Sequence, residues 1–207
     1  MKQFLIRFLI TSCLSVFLFS CSLITTKNLI KQTPTEQFVY NPYFNNQTID
    51  YIYKAKIKLA KNNFGGLLII KKIKEKQHRV VFTTEFGNKI FDFEFINNDF
   101  KVNFILDKLN RKIVINALKK DFQLLVKEQN KVMNQFSNKE NVIYQSKLNK
   151  KDNYYFHENK QLRKIVMTSK KKEKVSIYFD KITNKIAKKV VIKHHNFKMT
   201  LNLEYIN

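Results

Sequence analysis

Residues 64–72, Phe64-Gly65-Gly66-Leu67-Leu68-Ile69-Ile70-Lys71-Lys72, and residues 78–95, His78-Arg79-Val80-Val81-Phe82-Thr83-Thr84-Glu85-Phe86-Gly87-Asn88-Lys89-Ile90-Phe91-Asp92-Phe93-Glu94-Phe95, decide the fold. Short runs of β-branched and aromatic residues, broken by a polar turn at residues 75–77 and a tight one at Phe86-Gly87-Asn88, predict three antiparallel strands. In the third strand Phe91, Phe93 and Phe95 fall on one face and Asp92 and Glu94 on the other, because side chains alternate across a sheet. The sheet therefore has an apolar side and a wet side. Phe86, beside Gly87 at a hairpin tip, is out of place, since such tips normally carry polar residues.

Outward from this centre the alternation continues. Tyr51, Tyr53, Ala55, Ile57 and Leu59 share one face with Lys54, Lys56 and Lys58 opposite, and Phe100, Val102 and Phe104 repeat the pattern over Asp99–Ile105, completing a five-stranded meander. The period then changes. Val114, Leu118, Phe122, Leu125 and Val126 recur at helical spacing, predicting a helix from an Asn110 N-cap to about Gln129 and a second short one through Val132, Met133 and Phe136. Such a helix either packs as plain core or lids a groove. Strands return from Ile143, at Asn153–His157, Leu162–Thr168, Lys174–Phe179, Ile186–His194 and Phe197–Ile206. The predicted fold is mainly β with a helical lid (α+β), a curved antiparallel sheet of about ten strands with a helical insertion at about residues 110–136. A sheet of that size curls, making its apolar face concave.

The chain has 207 residues, enough for one domain and a tail. Apolar residues make up 44%, and 19 are Phe, which excludes a disordered polymer in spite of a formal charge of +23. Such a surplus attracts polyanions, namely nucleic acid, anionic head groups or lipopolysaccharide, or else it is a solvated surface. Lys far outnumbers Arg and no aromatic-flanked glycine motif is present, so no nucleic-acid partner is expected.

Lys2 and Arg7 followed by an apolar run from Phe8 to Phe19 form the two parts of an export signal, too short for a comfortable membrane span. Leu18-Phe19-Ser20-Cys21 resembles a bacterial lipobox, which implies a signal peptide over residues 1–20 and lipid attachment at Cys21. The plain alternative is an ordinary secretory signal with an incidental cysteine. Cys13 leaves with the signal, so the mature chain has no disulfide and no free thiol. Residues 21–48, with Pro34 and Pro42 and no sustained period, read as a lipidated tether. The folded body occupies residues 49–207. With no acidic cluster after Cys21, lipoprotein sorting implies an outer-membrane, lipid-anchored protein facing the periplasm.

No catalytic constellation is legible in the residues. The adjacent His194 and His195 point to opposite faces of a strand and make poor joint metal ligands. Asp92 and Glu94 are spaced like a carboxylate pair but read as solubilising residues with no second catalytic group. No phosphate-binding glycine loop or nucleophile elbow occurs. No enzyme activity, metal or cofactor is expected.

The entry to the second strand, Gly65-Gly66-Leu67-Leu68, the turn Glu85-Phe86-Gly87, and the spacing of the closing strands at residues 174–180 and 189–206 resemble the LolA/LolB lipoprotein-localisation family, in its membrane-anchored LolB-like branch. The chain lacks that family's tryptophans. The resemblance implies an incomplete β-barrel whose hollow takes the acyl chains of a lipoprotein delivered by a soluble periplasmic LolA-like carrier. It implies that Phe86 and Gly87 form a loop that enters outer-membrane lipid during release. Ile57, Leu59, Leu68, Ile70, Phe82, Phe91, Phe93, Phe95, Phe104, Leu118, Phe122 and Leu201 are the candidate cavity residues, because acyl chains need a water-free concavity without polar hooks. Two other readings stand beside this one: an envelope-assembly lipoprotein that uses the same fold to bind a protein, and a lipoprotein that binds polyanions or lipopolysaccharide.

Overall fold

Among the described residues there are fourteen strands rather than about ten. In the computed structural model the described residues are 24–26, 29–138 and 141–206. The expected signal peptide and Cys21 lie outside them. The strands are β1 (Ile30–Gln32), β2 (Phe38–Tyr40), β3 (Asp50–Leu59), β4 (Asn62–Lys74), β5 (Gln77–Thr83), β6 (Lys89–Ile96) and β7 (Asp99–Ile105). After a single α-helix among the described residues, α1 (Lys112–Val126), come β8 (Gln129–Ser137), β9 (Asn141–Leu148), β10 (Lys151–Glu158), β11 (Gln161–Ser169), β12 (Lys172–Thr183), β13 (Ile186–His194) and β14 (Met199–Tyr205).

Two antiparallel meanders, β3–β7 and β8–β14, merge because β14 pairs with β3, with Met199 opposite Leu59 and Tyr205 opposite Tyr53. The result is one large curved sheet in the order β1-β8-β9-β10-β11-β12-β13-β14-β3-β4-β5-β6-β7, not closed into a barrel. The second meander turns tightly. Asn149-Lys150, Asn159-Lys160, Lys170-Lys171 and Asn184-Lys185 each join two strands with both residues at positive φ, the left-handed geometry that matches the twist of a two-residue hairpin. Because neighbours alternate in direction, every turn falls on one of two rims. The upper rim carries the β3–β4, β5–β6, β9–β10, β11–β12 and β13–β14 turns and the start of α1; the lower rim carries the β4–β5, β6–β7, β8–β9, β10–β11 and β12–β13 turns.

The concave face is the core. From β3–β6 it carries Tyr53, Ile57, Leu68, Phe82 and Phe91, and from β11–β14 Ile165, Ile177, Val190 and Leu201, all essentially inaccessible. Helix α1 presses Leu118, Phe122 and Leu125 into it, with the Phe122 ring 5.6 Å from Phe91. The helix is shorter than the sequence predicts. Its N-cap is Arg111, with no side-chain cap bond, while Asn110 closes the preceding 3-10 turn through a backbone N–H to Asp107 O. The second expected helix is strand β8. Its residues alternate between exposed and buried from Gln129 to Val132, and Asn130 and Asn134 are weak helix formers that yield to pairing with β9.

The expected tether is also largely structure. Residues 24–26 and 29–46 lie along the β8 side of the sheet. On the convex face Thr25 donates to Glu173 of β12, 2.8 Å away, and Leu29 packs on a small second cluster of Ile143, Tyr154 and Val166. Strands β1 and β2 then pair along β8. The chain finally enters the concave face as a strap. Asn41 donates to Leu125 O at 2.7 Å, the Tyr43 hydroxyl donates to Leu162 O, and the Tyr43 ring lies 4.6 Å from Phe179. Phe44 packs edge-on to Tyr51, and its carbonyl lies 3.0 Å from His78 Nε2. Burial lowers the pKa of His78, so the ring is held neutral. The described elements, within residues 24–206, are gathered around one main core.

The paired glycines have different duties. A Cβ on Gly66 would lie 1.8 Å from Thr83 O on β5, whereas one on Gly65 would meet nothing within 4 Å. Gly66→Ala must push two strands apart, and the expected cost is about 3 kcal/mol, at the upper end of single-residue effects. Gly65→Ala is expected to stay within about 0.5 kcal/mol of the parent. Thermal melts followed by circular dichroism test the pair; equal melting temperatures for the two variants would refute the assignment.

Candidate functional site

The trough is mostly occupied by the protein itself. Ile57, Leu59, Leu68, Ile70, Phe82, Phe91, Phe93, Phe95, Leu118, Phe122 and Leu201 are all buried in one cluster beneath α1 and the strap. Phe91 and Phe93 stack on each other at 4.5 Å, and Phe95 and Phe100 meet at 5.2 Å. These residues fill the hollow as core, and none lines an open cleft described below. Phe104 departs from the expected alternation. A bulge places Phe104 opposite Asp92 and Val102 opposite Phe93, with Asn103 as the extra residue, so Phe104 turns to the convex face and is 40% exposed.

Open space survives at the upper rim, where α1 stops covering β11–β13. A cleft of about 630 Å³ runs between Ile113, Asn116 and Ala117 of the helix and Met167, Val175 and Phe197 of the sheet side. Its volume falls within the roughly 300–1,000 Å³ usual for ligand sites. Lys112, Lys120, Lys151 and Lys174 border it, and no carboxylate is among its lining residues. Lys151 is positioned by a 2.8 Å bond from Nζ to Ser169 Oγ. An apolar floor with ammonium groups at its margin accommodates a hydrocarbon chain and leaves a polar end near cations. The sequence carried one signal of this site. Ile113 is an apolar residue off the buried stripe of α1, and it is 64% exposed at the cleft mouth. Met167, Val175 and Phe197 read only as ordinary strand residues.

His194 and His195 face opposite sides of the sheet. His194, in the cleft wall, lies 2.7 Å through Nε2 from Asp121 Oδ2 on α1. Burial raises the pKa of Asp121, and the His194 contact opposes that shift. This pair pins the helix to β13. On the convex side, His195 Nε2 is 2.9 Å from the Ser176 hydroxyl and 3.8 Å from Glu173. Both partners approach the same ring nitrogen, so no carboxylate orients the far nitrogen as a nucleophile relay requires, and Ser176 is fully buried. Among the described residues no three His, Cys, Asp or Glu side chains are grouped to hold a metal ion.

Asp92 and Glu94 do not act together. Glu94 accepts a bond from Gln77 at 2.5 Å. Asp92, fully covered on the convex side, receives Arg79 through two bonds of 2.9 and 2.7 Å, Lys89 at 3.1 Å and Asn103 at 3.4 Å. The Arg79 bonds chiefly lower its pKa, to about 2. This cluster braces the base of the β5–β6 hairpin. At its tip, Thr84 N–H donates to Asn88 O and Gly87 N–H to Thr84 O, with Gly87 at φ +83°, a left-handed value that favours glycine. Phe86 projects from this tip 95% exposed, on the same rim as the cleft mouth.

No protein-family model matches the chain, and no curated protein matches it in sequence. Among solved structures it is similar to a LolA superfamily protein from Nitrosomonas europaea, with a TM-score of 0.54 and 8% identity over 81% of this chain and 88% of that one. A DUF1329 family protein from Desulfovibrio piger gives a TM-score of 0.42 and 9% identity over 79% and 85% of the two chains. The first likeness establishes a LolA-like fold.

Asp92 also sets an acid limit. Its folded pKa of about 2 lies below the roughly 3.9 of an unfolded aspartate, so its contribution is complete above about pH 4 and is lost as pH falls through 2. That contribution is about 2 kcal/mol. Urea melts between pH 7 and pH 2 are expected to show this loss in the parent and not in Asp92→Asn; the same acid slope in both would refute the assignment.

Proposed function

We propose that this LolA-like chain is a non-catalytic, membrane-anchored lipoprotein that takes up acyl chains. In this reading it accepts lipoproteins from a soluble periplasmic LolA-like carrier and passes them to the outer membrane it is anchored to through Cys21. The observation that carries the proposal is the pairing of two features on one rim: an open apolar-floored cleft and a hydrogen-bonded hairpin that holds one bare phenylalanine in solvent. The lipobox-like sequence before Cys21 supports the anchor, and the fold supports binding of a hydrophobic ligand.

The physics of release fits these parts. Binding by apolar area is reversible and carries no directional bonds, so a chain moves wherever more of its surface is buried. Moving the Phe86 ring from water into an apolar layer contributes about 2 kcal/mol, and aromatic side chains favour the membrane interface. Direction then comes from tighter burial in the acceptor bilayer.

A second reading, an envelope-assembly lipoprotein that binds a protein partner, is favoured by one observation: α1 and the strap already fill most of the concave face. The two readings separate in a transfer assay. A carrier loaded with labelled lipoprotein is mixed with residues 24–207, since a body cut at Tyr51 would lack the strap and both strands beside β8. Label is expected to pass to the body, and from there to vesicles. Phe86→Glu is expected to keep the parent melting temperature and to slow delivery to vesicles at least tenfold, in line with the loss of about 2 kcal/mol. Ala117→Phe, which narrows the cleft, is expected to reduce uptake. Full transfer by both variants would refute the lipid reading and leave the protein-partner reading in place.

A further inference from the structure

Charge on this protein is polarised along the strands. The turns of the upper rim carry Lys61, Lys108, Arg111, Lys150, the pair Lys170-Lys171 and Lys198, all exposed, against the acids Glu85 and Asp107. The described turns of the lower rim and the strand ends beside them carry Lys74, Lys76, Lys160 and Lys185 against Glu75, Asp99 and Glu158, so that end is close to neutral. A solvated surface or a generally lysine-rich composition would not gather the excess at one rim. Phe86, 95% exposed, and Ile113, 64% exposed, stand at the charged end; Ile30, Ile73, Ile96 and Ile206 are exposed at the other, so charge and not apolar exposure distinguishes the two rims. The cleft opens there as well, between Lys112, Lys151 and Lys174.

We infer that the upper rim is a docking face for an anionic lipid bilayer, with Phe86 and Ile113 seated in the interface and the cleft mouth opening onto the head groups. The inference rests on the lipid-handling reading above and adds the surface through which it works. Lysines on several separate turns form a broad cationic ring suited to a sheet of negative head groups, each lysine strengthening binding roughly fivefold near such a surface. Aromatic and aliphatic tips inside that ring are the arrangement that an interface with both charge and hydrocarbon rewards. A chain leaving the cleft would then enter lipid without crossing bulk water.

The test uses residues 24–207, which keep every described element, so that no acyl anchor holds the protein to lipid. Co-sedimentation is measured with vesicles of phosphatidylcholine alone and of equimolar phosphatidylcholine and phosphatidylglycerol. Binding is expected on the anionic vesicles, at least tenfold tighter than on the neutral ones, and is expected to weaken as salt is raised. Lys150→Gln, Lys170→Gln and Lys171→Gln together are expected to weaken it at least tenfold, whereas Lys76→Gln, Lys160→Gln and Lys185→Gln together, which remove the same charge from the lower rim, leave it unchanged. Equal weakening by the two triples would mean that net charge alone acts and would overturn the inference. Equal binding to both vesicles, or no binding beside capture by an acidic protein, would overturn it too. Uptake of a fluorescent fatty-acyl probe without vesicles is measured on the same variants. If uptake survives while vesicle binding fails, only the docking face falls; if uptake itself is absent, the lipid-handling reading falls.

Discussion

An open sheet with one apolar face has to be covered, and everything else in this molecule follows from how that is done. At roughly 4.8 Å per strand the sheet would span on the order of 60 Å if flattened, while the 15-residue α1 is roughly 22 Å long. Curvature shortens the gap but one helix still cannot bridge it. The N-terminal strap covers much of the remainder with Tyr43 and Phe44, and the part that neither element reaches is the cleft beside Ala117 and Val175. The cleft is thus the remainder of a covering problem, bounded by α1 and β11–β13.

The same solution handles the sheet edges. Unpaired strand edges invite association with other chains, and β8 is shielded by β1 and β2 laid end to end along it. Among the described residues the β7 edge has no such cover. It carries a bulge at Asn103 that interrupts the regular ladder and turns Phe104 outward over the Asp92 cluster. Polar anchors then fix the pieces. His78 and Asn41 hold the strap, and the Asp121–His194 pair holds the helix, each inside a region where an unmatched polar group would be costly.

Much of this was legible from residue order. The alternation in Tyr51–Leu59 and Lys89–Phe95 places those strands and their buried faces, and Phe86-Gly87 marks the bare tip before any coordinates are seen. What could not be read has definite causes. β8 has too few apolar residues to display its period, and only its pairing with β9 decides between helix and strand. The strap is a run of Asn, Tyr and Phe around Pro42 with no period at all, because its buried side chains meet distant partners instead of a regular neighbour. The cavity residues were expected in the most apolar positions, which are the ones that pack most tightly against each other. The cleft is lined by residues at element ends, where alternation carries no information about empty space.

The wrapping of the N-terminal segment also changes what an anchor at Cys21 would mean mechanically. Thr25 is bonded to Glu173, close to the upper end of β12, so only four peptide steps separate it from Cys21. At roughly 3.6 Å per residue that permits a stand-off of about 14 Å. A sequence that looks like a long leash is in effect a short hinge pin, and a lipid there would hold the body at a fixed stance against the leaflet in place of letting it swing through the surrounding space.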